Sequence, residues 1–252
     1  MATKTFLPTG RTLGLTISAM AGALALLAAC GQQADMKAVA EGNTAVVGEI
    51  ALPEPDPVTL EVPAGVYKLD RNHALLQWSV SHLGLSNYTA KFTRYDATVT
   101  IDPENLEASK IELTIDPTSV RTDFPGDYTG THKDSPYKSW DEDLSYNENF
   151  LNGRKFPQIT FTSTEIQRTG PNLARVTGDL SFLGVTKPVS MNVSIIGQSA
   201  NHPLLGIPAI GFRAEGKFNR SDFGMEKSPI GDEVTVVFDG EFHPAEPAAS
   251  VE

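Results

Sequence analysis

The amino-acid sequence predicts an all-β domain of about eight antiparallel strands between Val66 and about His243. Segments of alternating apolar and polar residues, rich in Val, Ile, Thr and Phe, recur along this stretch and are separated by short turns. No rhythm of strands alternating with long helices is present, so a parallel sheet is not expected. The domain is therefore a sandwich or a barrel, and a closed barrel would cover the apolar faces and remove exposed strand edges.

Each predicted strand follows from its own alternation. The first places Leu76, Trp78 and Val80 on one face, and the last places Val234, Val236 and Phe238 on one face. In chain order the eight segments are ALLQWSVSH, ATVTID, SKIELTID, PQITFTSTEI, ARVTGDLSFLG, PVSMNVSII, AIGFRAEGKFNR and DEVTVVFDGEF.

Large apolar side chains dominate the predicted inner face. Three glycines share that face, and small residues alternating with large ones could leave an apolar cavity. An apolar stripe in strands is, however, most often simply core. The candidates are Trp78, Phe92, Ile101, Phe161, Leu180, Phe182, Met191, Phe212, Phe218, Phe223, Phe238 and Phe242, with Gly178, Gly216 and Gly240.

The strand pattern lapses between Lys133 and Arg154. The stretch SWDEDLSYNENFLNGRKFP has no alternation and contains a glycine, Gly153, near its end. We expect a short helical or irregular crossover that stops at this glycine.

The N-terminal region resembles a bacterial lipoprotein signal. Lys4 and Arg11 precede an apolar run, and Leu27 to Cys30 reads Leu-Ala-Ala-Cys, with the only cysteine of the chain at its end. The resemblance implies cleavage before Cys30 and acylation of that residue. An uncleaved anchor and a plain secretory signal are the alternatives, and the single cysteine excludes an intramolecular disulfide.

These features divide the chain into four parts. Residues 1–29 form the predicted signal peptide, 30–63 a proline-containing tether, 64–244 the barrel domain and 245–252 a flexible tail. Proline-rich spacers are extended and semi-rigid. An edge strand within residues 58–62 is an alternative for the end of the tether.

The charge of the chain excludes one class of partner. The formal net charge is −11, and loss of residues 1–29, whose only charged side chains are Lys4 and Arg11, would make it −13. Nucleic-acid binding requires a basic surface, so no nucleic-acid partner is expected.

Motifs for metal binding and catalysis are weak. The five histidines (His73, His82, His132, His202 and His243) are scattered and show no HxH or HExxH spacing. No GxSxG motif or glycine-rich phosphate loop is present. His82 lies two residues after Val80, so the alternation places its side chain on the same inner face as Trp78 and Val80. This position predicts either a structural histidine or a buried polar anchor for a ligand head group.

Several motifs, in order, resemble the YceI-like family of periplasmic polyisoprenoid-binding barrels. Five stretches match: the opening strand with its extension, a Ser-Val-x-Thr loop, the stretch that leads into the central strand, a hairpin and a final Arg-Ser-Asp-Phe-Gly-Met signature. They are YKLDRNHALLQWSVSHLGLSNYTAKF, SVRTDFPGD, FLNGRKFPQITFTST, VTGDLSFLGVTKPVSMNV and FNRSDFGM. Residues 123–140 form a longer loop than is usual in the family, and Ala90 replaces a common glycine.

The resemblance implies an eight-stranded, antiparallel, lipocalin-like barrel around an apolar tunnel that holds a polyisoprenoid such as a quinone. The tunnel-lining candidates are Trp78, Val80, His82, Phe92 and Leu113. No other cofactor and no catalytic residue is expected.

The leading hypothesis is a non-enzymatic lipid carrier or store in the periplasm, attached to a membrane through Cys30. By resemblance to lipoprotein sorting, Gly31 after the cysteine favours the outer membrane over the inner. One alternative is an enzyme in which His82 or another buried polar group acts on an isoprenoid head group. The other is a filled barrel that serves in adhesion or envelope stress. Homodimerisation is left open.

Overall fold

The computed structural model describes residues 59–226 and 230–245. Strands account for most of these residues, and two short α-helices lie in the longest connection. The elements are β1 (Gly65–His82), β2 (Ser86–Phe92), β3 (Tyr95–Ile101), β4 (Lys110–Ile115), β5 (Val120–Arg121), α1 (Tyr128–Thr131), α2 (Trp140–Tyr146), β6 (Ile159–Gly170), β7 (Leu173–Phe182), β8 (Val185–Ser199), β9 (Ala209–Asn219) and β10 (Ile230–Pro244).

The sheet closes on itself because β1 pairs with β10 along one edge and with both β3 and β2 along the other. Strands β2 and β3 run one after the other beside β1, and β4 and β5 follow in the same way beside them. Each of these two pairs acts as one interrupted strand. The result is the predicted eight-stranded antiparallel barrel, in which every strand pairs with its neighbours in chain order.

The sequence pattern misses the first half of β1, together with β2 and β5. In β1, Leu69 pairs with Phe242 and Ala74 pairs with Gly240, so the intervening residues bulge out of the ladder. A bulge reverses the inward parity of a strand. The residues of the bulge are polar and resemble a turn in composition, so the alternation is lost there although the strand continues.

One end of the barrel is closed by packed side chains. Tyr67, Ile101, Ile210 and Phe242 are almost completely buried there. The hydroxyl of Tyr67 donates a hydrogen bond to the carbonyl of Pro63 at 2.8 Å, which fixes the chain as it enters β1. We call this region the closed end.

The last residues of the predicted tether contact the closed end without forming a strand. Val62 is buried, and Gln198 of β8 accepts a hydrogen bond from the amide of Glu61 and donates one to the carbonyl of Thr59. The predicted signal peptide, most of the tether and most of the predicted tail lie outside the described residues.

Short, hydrogen-bonded turns connect the strands at the end of the barrel opposite the closed end. Leu183 and Gly184 join β7 to β8 with φ values of 50° and 78°, as a two-residue hairpin turn with two positive φ angles requires. After β9, residues 220–223 form a 3₁₀ turn. The guanidinium of Arg220 donates to the carbonyls of Ile230 and Gly231, so the Arg-Ser-Asp-Phe-Gly-Met signature ties β9 to β10.

The crossover between β5 and β6 is partly helical, as predicted. Ser139 caps α2 by accepting a hydrogen bond from the amide of Glu142. The helix ends at Tyr146 rather than at Gly153, whose amide donates to the carbonyl of Ser145 instead. Among the described residues no helix is long and apolar enough to cross a bilayer.

Candidate functional site

The barrel encloses an apolar cavity of about 830 Å³. On β10 its wall runs from Ile230 to Phe242, which corresponds to about 40 Å along a strand. A volume of this size lies within the range typical of ligand sites. The apolar wall residues include Leu76, Trp78, Val80, Tyr88, Phe92, Ala97, Val99, Ile111, Leu113, Ile115, Phe161, Val176, Leu180, Phe182, Val189, Met191, Val193, Phe212, Ala214, Phe218, Val234, Val236, Phe238 and Phe242.

Few polar side chains reach the wall, and the two charged ones have protein partners. Arg220 is buried on backbone carbonyls, as described above. The carboxylate of Asp143 accepts a hydrogen bond from the side-chain amide of Asn147 at 2.8 Å. The polar wall residues are Gln77, His82, His132, Asp143, Asn147 and Arg220. A long apolar molecule would therefore meet mainly carbon atoms.

All five residues predicted to line a tunnel lie on the cavity wall. Val80 and Phe92 are buried, whereas Trp78 and Leu113 are half-buried. His82 is exposed because it is the last residue of β1, so the expectation of a buried polar anchor at this position is wrong. Whether these side chains contact a ligand remains a prediction.

Two of the large residues on the predicted inner face do not reach the cavity. Ile101 lies near the closed end and is buried in the core. Phe223 belongs to the 3₁₀ turn and packs its ring against Phe182 and Phe218. Both therefore stabilise the barrel away from the wall.

The inner glycines make room for large side chains rather than enlarging the cavity. A methyl group on Gly178 would lie 2.5 Å from the carbonyl oxygen of Thr162 and would also clash with the ring of Phe161. A methyl group on Gly216 would lie 2.9 Å from the carbonyl oxygen of Ser190. The large side chains occupy space that a Cβ would otherwise need.

Trp78 and Tyr88 carry buried polar atoms with no hydrogen-bond partner among the described residues. The atoms are the indole Nε1 and the phenol oxygen. Burial raises the pKa of Tyr88 well above its ordinary value of 10.0, and the nearby carboxylates of Asp141 and Asp143 add to this effect. The hydroxyl of Tyr88 therefore stays protonated.

The crossover supplies wall residues that the strand pattern does not predict. His132 and Trp140 reach the cavity, and their rings pack edge to face with centroids 4.5 Å apart. Tyr128 stacks on His132 and contacts Trp140. The sequence signal for this region is Ser139 followed by Glu142, the spacing of a helix capping box. The long 123–140 loop thus forms part of the wall.

The closed antiparallel barrel and its apolar interior define a lipocalin-like β-barrel protein. The chain belongs to the YceI-like domain family, whose model matches residues 67–242.

Among curated proteins, Protein YceI of Escherichia coli O6:H1 is 38% identical over 178 residues, which cover 69% of this chain and 84% of the relative. Protein YceI of Salmonella arizonae is 36% identical over the same length, with the same coverage of both chains.

Solved structures share the fold. The YceI protein of Campylobacter jejuni is 28% identical, with a TM-score of 0.54, and the match covers 66% of this chain and 90% of that protein. BcnA of Burkholderia cenocepacia is 20% identical, with a TM-score of 0.56, and the match covers 69% of this chain and 98% of that protein.

Proposed function

We propose that the protein binds the apolar chain of a polyisoprenoid lipid, such as a quinone, inside its barrel. The observation that carries this proposal is the cavity of about 830 Å³, whose wall is almost entirely aliphatic and aromatic. The sequence resemblance to polyisoprenoid-binding barrels supports the same class of ligand.

The physical basis of binding is the removal of apolar surface from water. Each Å² of buried apolar surface contributes about 25 cal/mol. A long isoprenoid chain offers such surface along its whole length, and the wall needs few polar groups to hold it. A cavity of this size also favours a ligand-binding barrel over a filled barrel that serves in adhesion or envelope stress.

The biological role that we propose is non-enzymatic transport or storage of the lipid in the periplasm. The lipoprotein-like signal supports attachment to a membrane through Cys30, with the outer membrane favoured by Gly31. The exposed position of His82 lends no support to the alternative in which a buried histidine acts on a head group.

Tryptophan fluorescence offers a direct binding assay, because both tryptophans of the chain, Trp78 and Trp140, lie on the cavity wall. We expect a long-chain isoprenoid quinone to quench this fluorescence saturably. A short-chain quinone should require a higher concentration, since it buries less apolar surface.

A matched pair of variants tests whether the quinone occupies the cavity. Ala214→Phe adds an aromatic ring to the wall and should weaken quenching at least tenfold. Thr100→Phe adds the same ring at an exposed position of β3 and should leave quenching unchanged. Equal quenching in both variants, or quenching that does not saturate, would overturn the proposal.

A further inference from the structure

Three potential metal ligands converge near the closed end, outside the cavity. They are His202, in the connection between β8 and β9, and Glu241 and His243 of β10. The Nε2 atoms of His202 and His243 lie 3.2 Å and 2.7 Å, respectively, from the same carboxylate oxygen, Oε1 of Glu241. All three ligand atoms lie within 4.8 Å of one another.

Two of these ligands stand on a rigid part of the sheet. Glu241 and His243 are separated by one residue on β10, so their side chains share one face of the strand. Phe242, between them, points into the core. Glu241 pairs with Gly211 of β9, and His243 pairs with Lys68 of β1, so both edges of the strand are held. The relative spacing of these two ligands is therefore fixed by the barrel.

The third ligand is held by its own loop. The amide of His202 donates to the carbonyl of Ile207 at 2.7 Å, and its carbonyl accepts from the amide of Gly206 at 2.8 Å. The side chains of the three ligands are only 17–28% exposed. The cluster is thus partly shielded from water but still reachable by an ion.

We propose that His202, Glu241 and His243 form a site for a divalent transition-metal ion, with Zn²⁺ as the best match. Zinc takes imidazole nitrogen and carboxylate oxygen at about 2.0–2.2 Å in tetrahedral geometry, which places neighbouring ligand atoms about 3.3 Å apart. The His202–Glu241 distance already has this value, and the His243–Glu241 distance needs to lengthen slightly. A water molecule would take the fourth position.

A metal ion bound by the two histidines would take the place of their Nε2 protons. The carboxylate of Glu241 only accepts, so His243 donates to it from Nε2 in the metal-free state. Nδ1 of His202 accepts from two backbone amides, so the proton of the neutral His202 ring lies on Nε2 as well. A zinc ion takes the place of these protons and restores the attraction between the three side chains. Each histidine must then carry its remaining proton on Nδ1.

This proton shift has a consequence for the loop. In the metal-free state, Nδ1 of His202 accepts weak hydrogen bonds from the amides of Leu204 and Leu205, at 3.3 Å and 3.2 Å. A protonated Nδ1 cannot accept them. Zinc binding should therefore release these two amides while it fixes the imidazole to β10.

Calorimetric titration of the purified full-length protein with zinc chloride tests the site. We expect one zinc ion per chain in the unmodified protein and in Glu233→Gln, which alters an exposed carboxylate elsewhere on β10. Glu241→Gln should weaken binding at least tenfold, and His243→Gln should have the same effect. Calcium chloride serves as the comparison ion, because it prefers oxygen ligands and should not compete.

Two further readouts separate a built site from general attraction to an acidic protein. Nitrogen NMR of the imidazoles should show zinc on Nε2 of His202 and His243, and the amides of Leu204 and Leu205 should exchange faster with zinc bound. Zinc binding that Glu241→Gln leaves unchanged, or that calcium abolishes at equal concentration, would overturn the proposal. So would the absence of zinc binding.

Discussion

Trp78 and Tyr88 lie on neighbouring strands with ring centroids 6.2 Å apart, and neither the indole Nε1 nor the phenol oxygen has a hydrogen-bond partner among the described residues. The ring of Phe124 packs edge to face against Tyr88 at 4.6 Å. Burial of these aromatic rings therefore leaves two polar atoms unsatisfied, and each lowers the free energy of unfolding by about 1–3 kcal/mol.

Removal of the unpaired hydroxyl should not harm the fold. We expect Tyr88→Phe to leave the free energy of unfolding unchanged or to raise it by up to about 1 kcal/mol, because no hydrogen bond is lost. Tyr67→Phe is the control, since its hydroxyl bonds to Pro63, and it should lower that free energy by about 0.5–1.5 kcal/mol. Urea unfolding measures both. A larger loss for Tyr88→Phe than for Tyr67→Phe would contradict this account of the pair.

The glycine on the inner face of β7 should be intolerant of a side chain. Gly178→Ala places a methyl group 2.5 Å from the carbonyl oxygen of Thr162 and against the ring of Phe161. We expect a loss of about 1–3 kcal/mol in the free energy of unfolding. Gly197→Ala, where a methyl group meets no atom within 4 Å, should be neutral or slightly stabilising. Similar losses in the two variants would show that the strand backbone, and not the clash, sets the cost.

Stability should fall in acid partly through Asp116. Burial by itself would raise the pKa of this carboxyl, but hydrogen bonds from Thr118 and Arg94 outweigh it and lower the pKa below its ordinary value of 3.8. A carboxyl with a lowered folded-state pKa stabilises the fold above pH 3.8 and loses that contribution as pH falls through the folded-state value.

Unfolding measured between about pH 5 and pH 2 checks this prediction. Asp116→Asn should be less stable than the unmodified protein near neutral pH and should lose less stability on acidification. Asp134→Asn, at an exposed aspartate, should follow the unmodified protein across the range. An acid-induced loss in Asp116→Asn as large as in the unmodified protein would be inconsistent with the expected role of this carboxylate.

Membrane attachment should depend on Cys30. We expect Cys30→Ser to move the protein from the membrane fraction to the soluble fraction, because serine cannot carry the thioether-linked lipid. Gln32→Ser, two positions further on, keeps the cysteine and should stay with the membranes. Fractionation followed by immunodetection measures the distribution. Retention of Cys30→Ser in membranes would show that acylation of this cysteine is not the anchor.

The strands and the inner face could be predicted because alternation is a local property of the sequence. In the closed barrel, every second residue of a strand still faces inward. The cavity wall therefore includes Trp78, Val80, Phe92 and Leu113. The same alternation places His82 on the wall, but it carries no information on where the barrel ends, and His82 is exposed because the strand stops at this residue.

Features that depend on tertiary contacts were not predictable in the same way. The bulge between Leu69 and Ala74 is defined only by pairing with β10. The histidines looked scattered along the chain, yet the pairing of β9 with β10 brings the rings of His202 and His243 to a centroid separation of 5.8 Å. Spacing rules for metal motifs cannot detect such a pair, because the two residues lie in separate elements.

Native mass spectrometry of the full-length protein purified from bacterial cells, followed by extraction with organic solvent, tests the central claim most directly. The account predicts a co-purifying species bound one per chain, released by denaturation, with a mass that contains repeated isoprene increments. An empty protein that also fails to take up added long-chain quinone would contradict the proposed function.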